Sequence, residues 1–200
     1  MAKIFCIANQ KGGVGKTTTT VNLAAGLAKL GQRVLMVDLD PQGNATMGSG
    51  IDKRKLELSV YDVLLESVSV KEACVQSAKL ADAHCAYAIL GANRELAGAE
   101  IEMVSLERRE KRLKTALNSV VADYDFILID CPPSLSLLTL NGLCCANGVI
   151  VPMQCEYFAL EGLADLVNTI KQVHANLNKE LAIIGLLRVM FDPRITLQQQ

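Results

Sequence analysis

The 200-residue sequence lacks an excess of charge of either sign, because 20 lysine and arginine residues stand against 21 aspartate and glutamate residues. This balance argues against a domain that binds nucleic acid through bulk positive charge, although it leaves room for a local basic patch. No apolar stretch approaches the roughly 18 to 20 residues that span a bilayer. The amino terminus also lacks the apolar region and cleavage site of a signal peptide, so we expect a cytoplasmic protein.

The seven cysteines form no C-x-x-C pair and show no metal-finger spacing. Their number is odd and most of them lie in apolar runs, which is typical of buried, reduced thiols. Half of all residues are hydrophobic, a proportion that argues against intrinsic disorder and indicates a globular protein. A chain of this length can bury a continuous core, and we expect residues 1–200 to form a single domain.

Apolar runs of strand length recur along the chain, and several are separated by segments with helical periodicity. The runs are Ile4–Ala8, Val34–Val37, Ala86–Leu90, Phe126–Ile129, Val149–Val151 and Ile183–Val189. Near-continuous apolar strands joined by helices predict an α/β fold, with a mostly parallel twisted sheet covered by helices on both faces. In such a sheet, ligands bind beyond the carboxyl ends of the strands.

Two crossover helices are predicted between these strands. The first begins near Lys16, repeats small and apolar residues on one face, and has Gly31 placed to end it. The second carries an apolar repeat at Leu160, Leu163, Leu166, Val167, Ile170 and Val173. The run from Glu107 to Lys114 alternates in charge sign, and we interpret it as the solvated face of a further helix.

A glycine-rich loop lies between the first predicted strand and the first predicted helix, with the sequence Asn9-Gln10-Lys11-Gly12-Gly13-Val14-Gly15-Lys16-Thr17-Thr18. This is a phosphate-binding loop pattern, G-x-x-x-x-G-K-[ST], in which Gln10 replaces the first glycine. The glycines leave backbone N–H groups free to face phosphate oxygens. We expect Lys16 to neutralise phosphate charge, Thr17 to give Mg²⁺ a hydroxyl ligand, and Thr18 to donate to a phosphate.

The segment Lys11-Gly12-Gly13-Val14-Gly15-Lys16-Thr17 resembles the deviant Walker A sequence of the ParA/MinD class of P-loop ATPases. In that class a signature lysine, which Lys11 matches, reaches across an ATP-dependent homodimer to phosphates bound by the other subunit. The resemblance implies that ATP and Mg²⁺ are the cofactors and that Lys11 acts in trans. The alternative is that Lys11 contacts the phosphates of its own subunit or the solvent.

Two carboxylates, Asp38 and Asp40, follow the second predicted strand and precede Pro41. Side chains two residues apart share a face of an extended chain, so both point toward the ligand edge of the sheet, where they suit Mg²⁺ and water. The resemblance implies that Asp40 orients the hydrolytic water and that Asp38 supports the water network of the metal. The alternative for Asp40 is a structural role in the turn before Pro41.

The apolar run Phe126–Ile129 leads into Asp130-Cys131-Pro132-Pro133 and fits a Walker B strand. Asp130 is expected to hold Mg²⁺ through bound water. Cys131 suggests a comparison with the related nitrogenase iron protein, whose cysteines bridge an iron–sulfur cluster between subunits. The relevant cysteine of that protein lies a few residues farther along, so cluster binding is a minor alternative.

A resemblance to Soj-like, ParA-type chromosome-partitioning ATPases extends over essentially the whole chain. The matching segments are Asp40–Thr46, Leu96–Glu102, Asp130–Leu135, Gln154–Gly162 and Met190–Arg194. Proteins of this type continue with further strands and helices, so we expect the chain to lack a carboxyl-terminal part. Arg194 matches a position of the family's non-specific DNA-binding surface, and a solvated loop arginine is the alternative.

The resemblance implies a weak, Mg²⁺-dependent ATPase that acts as a switch. ATP-bound homodimers bind double-stranded DNA non-specifically on the nucleoid, and a ParB-type partner stimulates hydrolysis and release. No membrane binding is expected. The alternative is a MinD-like regulator of division-site placement, which binds membrane through a carboxyl-terminal amphipathic helix. A metabolic relative would need a substrate pocket or cluster cysteines, and neither is visible in the sequence.

Overall fold

The structure is a computed structural model that describes residues 1–155 and 159–194. The strands in this part of the chain are Lys3–Ile7 (β1), Val34–Asp38 (β2), Cys74–Gln76 (β3), Ala88–Leu90 (β4), Phe126–Asp130 (β5), Gly148–Gln154 (β6) and Ala182–Val189 (β7). Each of the six predicted apolar runs overlaps one of these strands. The short β3 is an addition, because its three residues lie in no apolar run of strand length and end on the polar Gln76.

The strands form one sheet in the order β3-β4-β2-β5-β1-β6-β7. Neighbouring strands are parallel except for β3, which pairs antiparallel to β4. The three adjacent strands β2, β5 and β1 therefore present their carboxyl ends at the same edge of the sheet. The predicted α/β class with a mostly parallel sheet is confirmed.

Helices connect most of the strands. They are Lys16–Lys29 (α1), Asn44–Gly48 (α2), Val60–Leu64 (α3), Val70–Ala73 (α4), Ala78–Asp82 (α5), Leu96–Glu102 (α6), Arg112–Leu117 (α7), Leu137–Cys145 (α8) and Ala159–Asn176 (α9). α1 ends as predicted, since Gly31 follows it with a φ of 79°, in the left-handed region that glycine adopts readily. α9 contains the second predicted helix, although the side chain of Leu160 lies outside the described residues.

Alternate strand residues enter two separate apolar layers, as the pleat of a sheet requires. Val37 and Ile129 pack with residues of α3 and α6–α9 on one face. Met36 and Leu128 pack with residues of α1 and α2 on the other face. Helices therefore cover both faces of the sheet, as predicted.

The cysteines are free thiols, as the sequence predicts. Cys6, Cys131, Cys144 and Cys145 are buried, and the other three are half-buried. Burial raises the pKa of Cys144 to about 11, which keeps this thiol protonated at neutral pH. Among the residues that the structure describes, no three histidine, cysteine, aspartate or glutamate side chains are grouped so that they can hold a metal ion.

The outer strand β7 exposes apolar side chains on both of its faces. Leu186 is 51% exposed, and its neighbour Leu187, which points to the opposite face, is 41% exposed. Among the described helices, none combines the length and the apolar character that crossing a bilayer requires.

Candidate nucleotide-binding site

The glycine-rich loop spans residues 8–15, between the end of β1 and the start of α1. Gly13 has a φ of 72° and Gly15 a φ of 81°, so both lie in the left-handed region that other residues adopt at a cost. Gly15 occupies the N-cap position of α1. The loop therefore curls around the amino-terminal end of a 14-residue helix, where free N–H groups and the helix dipole favour an anion.

A buried asparagine anchors this loop to the neighbouring strand. The Asn9 side chain donates from Nδ2 to the carbonyl oxygen of Pro152 in β6 at 2.7 Å. Its Oδ1 accepts a hydrogen bond from the backbone N–H of Lys11 at 3.0 Å. Asn9 is 6% exposed, so these bonds are shielded from water. The sequence analysis did not single out Asn9, although an asparagine between a strand and a glycine loop is a typical turn-forming residue.

Lys16 is buried at the first position of α1, and its ammonium points back into the loop. Its Nζ donates to the carbonyl oxygen of Lys11 at 3.0 Å. Burial lowers the pKa of Lys16, and the nearby carboxylates of Asp130 and Asp40 oppose that shift. A cation held inside a glycine loop is the arrangement that the sequence predicts for a phosphate ligand.

Asp130, the predicted Walker B carboxylate, lies at the end of β5 and accepts bonds from two threonines of α1. Thr17 Oγ1 donates to Asp130 Oδ2 at 2.7 Å. Thr20 Oγ1 lies 3.0 Å from Asp130 Oδ1 and 3.0 Å from the backbone carbonyl oxygen of Lys16. Burial raises the pKa of Asp130 to about 7, and the charge of Asp38 acts in the same direction while the two threonines oppose it. Thr20 is a contact that the sequence analysis missed.

Asp38 lies directly beside Asp130, because the two residues are paired in the register of β2 and β5. Asp38 is fully buried. Its Oδ2 accepts bonds from Thr46 N at 2.8 Å and Thr46 Oγ1 at 2.7 Å, and its Oδ1 accepts from Asp40 N at 3.1 Å. Burial raises the pKa of Asp38 to about 6 in spite of these bonds.

These residues fit a magnesium ion. Two buried carboxylates stand side by side, and a divalent cation would offset their repulsion and the cost of their burial. Thr17 gives its hydroxyl hydrogen to Asp130, so its oxygen lone pairs remain free to face a cation. Thr17, Asp38 and Asp130 offer only a few ligands, all of them oxygen atoms. Such a set suits Mg²⁺, which usually keeps several waters and is also coordinated by substrate phosphates.

Asp40 lies two residues beyond Asp38 and shapes the turn that follows. Its Oδ1 accepts the N–H of Gln42 at 2.8 Å, and its carbonyl oxygen accepts the N–H of Gly43 at 2.8 Å. The structural role in the turn, which the sequence left open, is thus present. The predicted role of Asp40 in orienting water stays a prediction.

The turn after β2 packs against the loop after β4. Gly43 has a φ of 58°, and a Cβ added there would lie 2.5 Å from the carbonyl oxygen of Ala92. Thr46 Oγ1 accepts the N–H of Ala92 at 2.9 Å while it donates to Asp38. Thr46 belongs to a segment that carries the family resemblance, but the sequence analysis assigned it no function.

The remaining predicted site residues have simpler surroundings. Val14 is buried at 1% exposure, whereas Gly12 and Thr18 are exposed at the loop and the first turn of α1. Lys11 is half-buried, with its N–H bound to Asn9. Arg194 is exposed and pairs with Asp192 at 2.6 Å. The trans role of Lys11 and the DNA contact of Arg194 stay predictions.

Comparisons with known proteins agree with this geometry. A family model described as an AAA domain matches residues 2–183. The sporulation initiation inhibitor protein Soj of Bacillus subtilis is 51% identical over 197 residues, which are 98% of this chain and 76% of Soj. The chromosome partitioning protein ParA of Caulobacter vibrioides is 45% identical over 200 residues, which are 99% of this chain and 73% of that protein. The chain belongs to the ParA/Soj family.

A solved structure that contains nucleotide and magnesium is also similar to this chain. Cobyrinic acid a,c-diamide synthase of Mycobacterium smegmatis, crystallised with ADP and magnesium, is 44% identical with a TM-score of 0.93. The match covers 100% of this chain and 79% of that chain. For this ParA/Soj member, the predictions of an ATPase and of ATP and magnesium as cofactors are confirmed.

Proposed function

We propose that this chain is an ATP-dependent dimerisation switch that binds DNA non-specifically and drives chromosome or plasmid partitioning. The observation that carries the proposal is the convergence of Lys16, Thr17, Asp38 and Asp130 at the carboxyl ends of three adjacent strands, beside a loop with a second lysine. The relatives named Soj and ParA supply the partitioning context.

The phosphate end of the nucleotide binds in the glycine loop. Gly12, Gly13, Val14 and Gly15 offer backbone N–H groups, Thr18 adds a hydroxyl, and the ammonium of Lys16 exchanges its bond to the Lys11 carbonyl for a phosphate oxygen. Thr17, Asp38 and Asp130 hold magnesium, with the aspartates acting through water. When bound, the ion neutralises charge on the phosphates.

Hydrolysis needs a water molecule aligned with the terminal phosphate. The charge of Asp40 raises the pKa of Lys16 against the effect of burial, and this influence supports a role for its carboxylate near the phosphate end of the site. In the proposed mechanism Asp40 orients the attacking water and accepts hydrogen bonds from it.

Lys11 makes the ATPase depend on the dimer. It lies in the loop itself, ahead of the glycines, and the resemblance to the deviant Walker A class assigns it to the phosphates of the partner subunit. An ammonium delivered across an interface neutralises phosphate charge only when the nucleotide and the second subunit are both present. ATP thus holds the homodimer together, and hydrolysis releases it.

The dimer gathers basic residues of two subunits, including Arg194, for DNA phosphates. Such contacts are independent of sequence and weaken with salt. A ParB-type protein stimulates hydrolysis, so the protein is nucleoid-associated only while it holds ATP. A MinD-like membrane role is the alternative. The Mycobacterium smegmatis protein with a similar fold is named as a biosynthetic synthase, so a biosynthetic role is a competing interpretation. The 51% identity to Soj favours partitioning.

Retention on double-stranded DNA tests the proposal. The protein and its Asp40→Ala variant are applied to immobilised non-specific DNA and, in parallel, to anionic phosphatidylglycerol liposomes, each with ATP, ADP or no nucleotide. We expect retention on DNA with ATP alone, stronger for Asp40→Ala and lost at high salt. A Lys11→Ala variant should bind ATP but stay off the DNA.

Other outcomes overturn the proposal. Equal DNA binding with ATP, with ADP and without nucleotide contradicts the proposal that ATP switches DNA binding on. Retention on liposomes alone supports the membrane-bound alternative. If the protein binds neither surface, the assay is repeated with the chain extended at its carboxyl end to the length of its relatives. If the extended chain also binds neither surface, the proposal of ATP-dependent DNA binding is contradicted.

A further inference from the structure

A single hydroxyl connects the metal side of the site to a loop that carries no predicted site residue. Thr46 is fully buried in α2, and its Oγ1 lies 2.7 Å from Asp38 Oδ2 and 2.9 Å from Ala92 N. Because Ala92 N–H can only donate and the hydroxyl has one hydrogen, the direction of both bonds is fixed. The chain of bonds runs from the Ala92 amide through Thr46 to the Asp38 carboxylate.

Thr46 also supplies most of the bonds that orient Asp38. Oδ2 accepts both the N–H and the hydroxyl of Thr46, and Oδ1 accepts only Asp40 N–H among the bonds found in the described residues. The N-cap of α2 is Gly43, which has no side chain to cap the helix, so Asp38 takes that role from the neighbouring strand. The strand end and the short helix are therefore held together at Asp38.

The loop after β4, at Ala92, packs closely against the turn after β2, at Gly43. Gly43 lies so close to Ala92 that a Cβ would come within 2.5 Å of its carbonyl oxygen. A shift of this loop must therefore move Thr46 or break its hydroxyl bond. Close packing of this kind transmits displacements rather than absorbing them.

We propose that Thr46 is a positioning residue, whose hydroxyl orients Asp38 toward the magnesium and couples that orientation to the loop at residues 91–93. The proposal rests on the metal role of Asp38 in the proposed function. It adds a residue that touches neither the nucleotide nor the metal. Partners in the outer shell of a metal site typically change metal affinity or activity by about 10-fold to 100-fold when they are removed.

Three variants isolate the hydroxyl. Thr46→Val keeps the shape and removes the hydroxyl, and Thr46→Ser keeps the hydroxyl. Ser49→Ala is the matched control, because Ser49 is a buried hydroxyl at the end of the same helix whose partners are Tyr87 and Met36 instead of the site. If Thr46→Val does not fold, Thr46→Ala replaces it.

The first readout uses the chain without nucleotide. Amide hydrogen exchange at Ala92 should accelerate at least tenfold in Thr46→Val, because its acceptor is gone, and stay near the wild-type rate in Thr46→Ser and Ser49→Ala. The second readout is the Mg²⁺ concentration that half-saturates ADP binding. We expect a rise of about 10-fold to 100-fold in Thr46→Val, and about threefold or less in Thr46→Ser.

Turnover gives a third readout. At saturating Mg²⁺, Thr46→Val should lower kcat while the KM for ATP changes little, and Ser49→Ala should lower only the thermal stability. An unchanged Mg²⁺ requirement in Thr46→Val, or equal impairment in Thr46→Ser, overturns the proposal. If the protein does not bind DNA in an ATP-dependent way, the first two readouts still test the role of Thr46, because neither requires a dimer or DNA.

Discussion

Asp38 and Asp130 end two neighbouring parallel strands in the same register, so two buried carboxylates stand side by side beneath the phosphate loop. The pKa of Asp38 rises to about 6 and that of Asp130 to about 7, in both cases chiefly because burial penalises the charged form. The folded chain therefore stores unfavourable electrostatic energy when nucleotide and metal are absent. Magnesium bound as proposed relieves it, which links the folding of this edge to its ligand.

The stability of the ligand-free protein should fall as the pH rises. Both folded pKa values exceed the ordinary value of 3.8, so the folded state holds protons that the unfolded state has released. The stabilisation is fully present below about pH 4 and is lost as the pH rises through 6 to 7. In buffer without magnesium, we expect Tm to be several degrees lower at pH 8 than at pH 5.5.

Asp130→Asn should flatten that pH profile and raise Tm at pH 8, because it removes one of the two buried charges. The same variant should abolish the gain in Tm that ADP and magnesium give the wild type. Asp82→Asn removes an exposed carboxylate on α5 and serves as the control, with no expected change in either property. A Tm for Asp130→Asn below that of the wild type at pH 8 contradicts the repulsion described above.

Gly43→Ala should destabilise the protein by about 2 kcal/mol or more, since the left-handed backbone and the close carbonyl of Ala92 both oppose a Cβ. Gly26→Ala is the matched change, at a helical position of α1 where an added Cβ meets no atom within 4 Å. It should stabilise by about 0.5–1 kcal/mol. Urea unfolding of the two variants measures both effects, and equal values would show that the turn accepts a side chain.

Asn9→Ala should weaken ATP binding by roughly tenfold, because it removes the hydrogen bond that joins the loop to β6. The carbonyl oxygen of Pro152 and the N–H of Lys11 both lose the Asn9 side chain as their hydrogen-bond partner. Asn22→Ala removes an exposed asparagine whose amide also bonds a backbone carbonyl, and it should leave the affinity unchanged. Titration with a fluorescent ATP analogue distinguishes the two. Wild-type affinity in Asn9→Ala means that the loop holds its shape without the hydrogen bond to β6.

Asp40→Ala should bind ATP with near wild-type affinity and hydrolyse it at least tenfold more slowly, because the residue acts on water and not on the phosphates. Its ATP complex should persist as a dimer of twice the monomer mass in light scattering. Normal turnover in this variant would leave Asp40 with its role in the turn alone.

The predicted site residues that the structure brings together come from local sequence patterns. The loop from Lys11 to Thr18 and the acids Asp38 and Asp130 each follow an apolar strand, and strand ends are where a parallel sheet binds ligands. The parts it missed are contacts between distant segments. Thr20 meets Asp130 across 110 residues and Asn9 meets Pro152 across 143 residues.

The α/β class is confirmed, and among the described strands the sequence did not predict β3, for the same reason. β3 is a three-residue strand whose place depends on an antiparallel pairing with β4, not on its own pattern. Thr20 lies in a run of four threonines, and nothing in the run itself shows that its hydroxyl joins that of Thr17 at Asp130. Only the packing of α1 against β5 decides it.

The trans action of Lys11 is the central claim, and mixing two inactive variants tests it most directly. Lys11→Ala lacks the lysine that reaches the phosphates of the partner subunit, and Asp40→Ala binds ATP but lacks the carboxylate that orients the water. When the two are mixed before ATP is added, a mixed dimer has one complete site, formed by Asp40 of one subunit and Lys11 of the other. We expect ATPase activity to reappear on mixing in proportion to the mixed dimer, with Lys29→Ala as an active control. A mixture that is no more active than the sum of its two components would place Lys11 in the site of its own subunit.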